Sequence, residues 1–154
     1  MVILKNIPRI LSPELLSVLS RMGHGDTIVL ADANFPSASV CKQGPELVRA
    51  DGHGIPALLG AILKLLPLDT YVPAPAALMD LVPNDKARGL KTPVWDEYKK
   101  LMNAAEGKEI KVNMIERFEF YEVAKKAFAV VATGEGALYG NIILTKGVLP
   151  AEEQ

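Results

Sequence analysis

One cysteine, Cys41, stands in a chain of 154 residues. No disulfide can close within the chain, and a reducing, cytoplasmic compartment is expected. Charge of either sign is in no excess, because 17 basic and 18 acidic side chains leave a formal net charge of -1. Such a balance offers no field to a nucleic acid or an anionic membrane surface. It also sets up little repulsion between copies, so it permits an oligomer. Long apolar runs are missing. The opening stretch MVILKNIPRILSPELL has no extended hydrophobic segment and no small-residue cleavage site, and nothing in the sequence reaches the length of a bilayer span. The glycines of GHGD, DGHG and TGEGALYG follow neither the Walker spacing nor the dinucleotide pattern. No serine sits in a nucleophile elbow, and Cys41 has no histidine near it in sequence to support thiol chemistry. His24, Asp26, Asp32 and His53 lack a compact zinc spacing. Neither a metal nor a nucleotide cofactor is expected.

What is present is a core. Hydrophobic residues make up 49% of the chain, which places it with folded domains, and its length suits one domain over residues 1–154 with a short C-terminal tail. Ser12 and Pro13 open a helix whose stripe is Leu11, Leu15, Val18, Leu19 and Met22, with Gly23 as the expected stop. TIVLA, at 27–31, is apolar throughout and reads as a strand covered on both faces. Residues 33–54 read as a long irregular stretch containing one short strand, ELVRA. A helix is predicted over 55–66, closed by Pro67, followed by short strands at 69–72 and 76–82 and a polar connection over 83–93. Helices are predicted over 94–102 and 114–127, a strand over 128–132, and a last strand after the Gly-rich turn that begins at Thr133. Apolar strands interleaved with helices predict a three-layer α/β/α domain.

His24 lies between Gly23 and Gly25, where a ligand can approach closely, and imidazole is the side chain suited to proton transfer near neutrality. Asp26 is placed to orient it; the plainer alternative is a solvated turn histidine. His53, in DGHGIP, is the rival acid–base group or an idle turn residue. Asp32 ends the apolar strand, where it either takes hydroxyl donors from a ligand or caps the ANFP turn. Asp69 has the same two readings before TYV. Arg117 and Tyr121 are four apart, on one helix face, and together offer guanidinium and phenol groups. Tyr139 and Asn141 point to one side if Gly140 is extended. Met79 reads as core or pocket wall, and Trp95 as core.

The stretches SPELLSVLSRMGHGDTIVLADANFP, DGHGIPALLGAILKLLPLDTYV and IERFEFYEVAKKAFAVVATGEGALYGNIILTKG resemble the fucose mutarotase and ribose pyranase family, and its vertebrate-type fucose branch in particular. HGD, AD and FP combined with TGE and LYGNIIL carry the resemblance, which spans nearly the whole chain. It implies a mixed central sheet and an enzyme that interconverts the α and β anomers of L-fucose without a cofactor. It implies that His24 is the acid–base group with Tyr121 as a second catalytic residue. Asp32, Asp69, Met79, Arg117, Tyr139 and Asn141 would then hold the sugar. It further implies a homo-oligomer, dimer or decamer, with active sites shared between adjacent subunits. The alternatives are a noncatalytic monosaccharide-binding protein, which would bind L-fucose without speeding anomer exchange, and a purely structural oligomer.

Overall fold

The computed structural model describes residues 3–154. Ser12 caps α1 (Pro13–Arg21), its hydroxyl accepting from the Leu15 N–H at 3.1 Å. The chain leaves that helix through Met22 in an extended conformation. The expected glycine stop at Gly23 is therefore not used; the left-handed turn comes at Gly25, where φ is 89°. β1 (Thr27–Ala31) and β2 (Glu46–Ala50) fall where the sequence puts them, with α2 (Ser37–Cys41) between them in the stretch predicted to be irregular. Then follow α3 (Ile55–Leu63), β3 (Ala76–Met79), α4 (Pro83–Ala87) and α5 (Pro93–Glu106). The strand predicted at 69–72 does not form: that segment bends, and only Leu68 makes an isolated bridge, to Lys146.

The helix predicted over 114–127 is two elements, β4 (Val112–Ile115) and α6 (Arg117–Ala124). Glu116 separates them, its carboxylate accepting from the N–H groups of Phe118 and Glu119 as a helix cap. β5 (Ala129–Thr133) and β6 (Ile142–Thr145) complete the sheet, and a 3₁₀ turn, Ala151–Glu153, stands in the tail.

The six strands lie in the order β2-β5-β1-β6-β3-β4. β1 is parallel to β5, β5 to β2 and β3 to β4, whereas β6 is antiparallel to both β1 and β3. Five carboxyl ends thus share one edge of a mixed sheet. Alternation along the strands feeds two cores. Ile28 and Leu30 join the side of α1, α3 and α5 with Leu58, Ile62 and Tyr98; Val29 and Ala31 join the side of α2 and α6 with Val40 and Phe120. The result is the three-layer α/β/α arrangement. Full burial of side chains such as Ile28 and Leu30 stabilises the fold by about 1.5–3 kcal/mol each. None of the described helices is long and apolar enough to cross a membrane.

Candidate active site

A cavity of about 330 Å³ opens at the carboxyl edge of the sheet. Ligand sites of open α/β sheets gather there because loops diverge where strands end. Its polar lining is Asp32, Asn34, Asp85, Arg117, Tyr121, Tyr139 and Asn141, and Met79, Phe35, Val82 and Leu138 give it apolar character. Six of the eight residues expected at a site are therefore brought together, although they come from four separate segments of chain. Phe35 is largely buried beneath them, with its ring edge-on to Tyr121 at a centroid distance of 5.6 Å.

Asp32 is only 5% exposed. One carboxylate oxygen accepts from the Asn34 N–H at 3.0 Å and the other from the Gly140 N–H at 3.1 Å. Burial raises its pKa above the usual aspartate value, and these backbone hydrogen bonds work against that rise. Asp32 caps the turn after β1, as one of its two readings had it, and it also lines the cavity. Asn141 is tied to the same place, since its side-chain oxygen accepts from the Asp32 N–H at 2.7 Å. That bond orients the Asn141 amide and leaves its NH₂ group as a donor.

Tyr139 and Asn141 share the cavity, as the sequence spacing suggested. Tyr139 is left-handed at φ 57°. The strained turn is held by neighbours: the Trp95 indole donates to the Tyr139 carbonyl at 2.8 Å, and the Tyr98 hydroxyl donates to the Gly140 carbonyl at 2.8 Å. Trp95 and Tyr98 are packing residues that also fix the site. Arg117 Nε donates to the Tyr121 hydroxyl at 3.0 Å, so the predicted helix-face pair is a direct contact. Asp85 is the charged lining residue that the sequence did not suggest; Asn34, Phe35, Val82 and Leu138 are further lining residues outside the expected set. Asp85 sits in a segment that reads as a polar connection, with no apolar periodicity to mark a helix; in the fold, α4 brings it against Tyr139.

His24 and Asp69 lie at the opposite edge. His24 Nε2 is 3.0 Å from Asp69 Oδ1, and the Asp69 carboxylate is 3% exposed while the imidazole is 40% exposed. Asp69 also accepts from the Tyr71 N–H at 3.0 Å. That bond, followed by the one to His24, holds the Asp69 carboxyl below its usual range, against the opposing effect of burial. An ionised carboxylate only accepts, so Nε2 carries the proton in the neutral imidazole and Nδ1 presents the lone pair. Asp26 does not orient the ring as the sequence suggested, because its carboxylate accepts from the Gly23 N–H at 2.7 Å. His53 is exposed in the turn after β2 and does not line the cavity. The His24–Asp69 pair is separated from the cavity by the five residues of β1, about 17 Å at 3.3–3.4 Å per residue. Neither residue lines the cavity of its own chain.

Residues 5–149 match the model of the RbsD / FucU transport protein family. The chain belongs to the RbsD/FucU family. Within it, the human protein named fucose mutarotase is 68% identical over 149 residues, covering 97% of this chain and 96% of that protein. The solved structure of FucU from Bifidobacterium longum superposes with a TM-score of 0.90 at 50% identity, covering 95% of this chain and all of that one. The fucose mutarotase of Streptococcus pneumoniae, solved in complex with L-fucose, gives a TM-score of 0.86 at 47% identity over 96% of this chain and all of that one. The mixed sheet and its covering helices are thus those of the family.

Proposed function

We infer that this protein is a fucose mutarotase, which interconverts α-L-fucose and β-L-fucose by opening and closing the sugar ring. The observation that carries this reading is the mixed lining of the cavity. Hydroxyl-binding groups (Asp32, Arg117, Tyr121, Tyr139 and Asn141) stand there together with the apolar side chains of Met79, Phe35, Val82 and Leu138. A 6-deoxyhexose has the matching character: hydroxyls around the ring and one methyl group. Family members that bear the mutarotase name, one of them holding L-fucose, support the same reading. The cavity lies near the lower end of the range of small-molecule pockets, about 300–1,000 Å³.

Mutarotation needs one group to take the proton of the anomeric hydroxyl and one to protonate the ring oxygen as the C1–O5 bond breaks. Rotation about C1–C2 in the aldehyde and closure by the reverse proton transfers give the other anomer, with no net change of protons or electrons. His24 supplies the base through Nδ1 while Asp69 fixes its tautomer and orientation. Asp69 thus acts behind the histidine, a different task from the sugar contact expected for it. Tyr121, whose oxygen already accepts from Arg117, has its hydrogen free for the ring oxygen. Asp32 and Asn141 orient hydroxyls, and Met79 covers the methyl side.

Because β1 separates the two sets of groups, the working centre is built from two copies: the cavity of one and the His24–Asp69 pair of the next. A homo-oligomer is therefore part of the function, and the unpaired Cys41 suits a cytoplasmic setting. Saturation-transfer NMR across L-fucose, D-ribose and D-galactose tests the reading. The expected result is fast exchange with L-fucose, lost by about 10²–10⁴-fold in His24→Ala with sugar binding retained. Saturable L-fucose binding without faster exchange in the unmutated protein would favour a binding module instead.

A further inference from the structure

Two phenols face the sugar cavity, and their hydrogen-bond partners give them opposite polarity. The Tyr121 oxygen accepts from Arg117 Nε at 3.0 Å, which leaves its hydrogen to be given away. The Tyr139 hydroxyl is spent differently: it donates to Asp85 Oδ2 at 2.5 Å, and its oxygen accepts from the Val82 N–H at 3.3 Å. A phenol has one hydrogen, so Tyr139 has only oxygen lone-pair capacity left for a ligand. Asp85 is itself braced by Arg88 Nε, at 2.8 Å from its other oxygen, and its side chain is 23% exposed.

We propose that Asp85 is a positioning residue of the sugar site: by taking the Tyr139 hydroxyl hydrogen, it makes Tyr139 an acceptor-only contact, so the sugar must present a donating hydroxyl there while Tyr121 supplies the donor. This rests on the sugar-site reading above and adds a polarity code to it. The two tyrosines are not interchangeable. A sugar whose hydroxyl is missing or inverted at the Tyr139 position leaves that lone pair unmatched and is selected against. Other charges facing this part of the cavity are Arg117 on α6 and Asp32 after β1. Burial first, and then the bond to Asp85, raise the Tyr139 pKa, while Arg117 and the Val82 N–H oppose the rise. Asp85 is correspondingly held below the usual carboxylate range, by Tyr139 first and then by Arg88.

The test is a double-mutant cycle read by anomer exchange, with a spectroscopic measurement beside it. Asp85→Ala and Tyr139→Phe are each expected to lower kcat/KM for L-fucose about tenfold, the scale of one charge-assisted hydrogen bond. The double variant should fall no further than Tyr139→Phe alone, because Asp85 acts through that hydroxyl. In protein labelled at tyrosine ¹³Cζ, the Tyr139 signal should titrate at lower pH in Asp85→Ala and in the near-isosteric Asp85→Asn than in the unmutated chain. Multiplying losses, an unchanged kcat/KM in Asp85→Ala, or an unmoved Tyr139 titration would each overturn the proposal. If the unmutated protein does not speed anomer exchange, the mutarotase reading fails on its own. The same cycle is then read through L-fucose affinity by calorimetry, where non-additive losses support the Asp85–Tyr139 unit and independent losses overturn it.

Discussion

Two damaged versions of this protein should repair each other. His24→Ala destroys the base and leaves the cavity whole; Asp32→Asn damages the cavity and leaves the His24–Asp69 pair whole. General acid–base groups contribute about 10²–10⁴-fold, so the first variant alone should lose that much. Misplacing the sugar through Asp32→Asn should cost about 10²-fold. The two positions flank β1 (Thr27–Ala31), about 17 Å of extended chain at 3.3–3.4 Å per residue. No rotamer brings the ring of His24 into the cavity that Asp32 lines. If each centre joins the cavity of one copy to the imidazole of another, co-expression in equal amounts gives random assortment. Each centre then draws an intact cavity half the time and an intact histidine half the time. About one quarter of the centres are whole, and activity per chain recovers to about a quarter of that of the unmutated protein. Saturation-transfer NMR of L-fucose exchange reads this directly, with circular dichroism confirming that each variant folds. Mixed assemblies no more active than the average of the two parents would refute a shared centre, provided that isotope-labelled copies show the chains have mixed.

The opposed environments of Asp69 and Asp32 should be visible in a ¹³C-carboxyl titration: Asp69 below the ordinary aspartate value of about 3.9 and Asp32 above it, with the reverse order contradicting the assigned contacts. For Asp69 the lowered folded-state pKa means that its stabilising contribution is full above its unfolded value and is lost as pH falls through the lower folded one; Asp69→Asn should flatten the acid side of the stability curve, measured by urea unfolding across pH. Gly147 packs against the segment that carries Asp69, and a Cβ there would lie 2.5 Å from the Leu68 carbonyl oxygen and 2.7 Å from the Asp69 Cα. Gly147→Ala should destabilise the fold by about 1–3 kcal/mol and slow anomer exchange by displacing Asp69 from His24. An unchanged urea midpoint together with unchanged exchange would show that the close packing is unimportant.

Where the sequence was legible, one local rule was sufficient. Ser12–Pro13 marked a helix start, and TIVLA and ELVRA marked strands whose bounds the structure keeps. It was misleading where two rules competed. MIERFEFYEVAKKA has enough helix formers to read as one helix, yet Met114 and Ile115 pair with β3, and Glu116 starts the helix only afterwards. DTYV looks like a strand by composition, but Asp69 accepts from the Tyr71 N–H and bends the chain there. Asp85 was missed because nothing in PNDKARGLKTP signals that a single turn of helix will deliver a carboxylate to a tyrosine more than fifty residues away.

The sequence by itself determined the layered α/β/α architecture and the types of residue available for the chemistry, because burial patterns and caps act over a few residues and can be read there. Tertiary structure alone decided which carboxylate serves which partner: Asp69 rather than Asp26 beside His24, Asp85 beside Tyr139, and Asp32 shared between its own turn and the cavity. It also decided that His24 and Asp32, close in sequence, stand at opposite edges of the sheet. The physical reason is that an extended strand carries the chain about 3.3 Å per residue in one direction, so neighbours on either side of it are held apart, while hydrogen bonds gather residues from distant segments at each end.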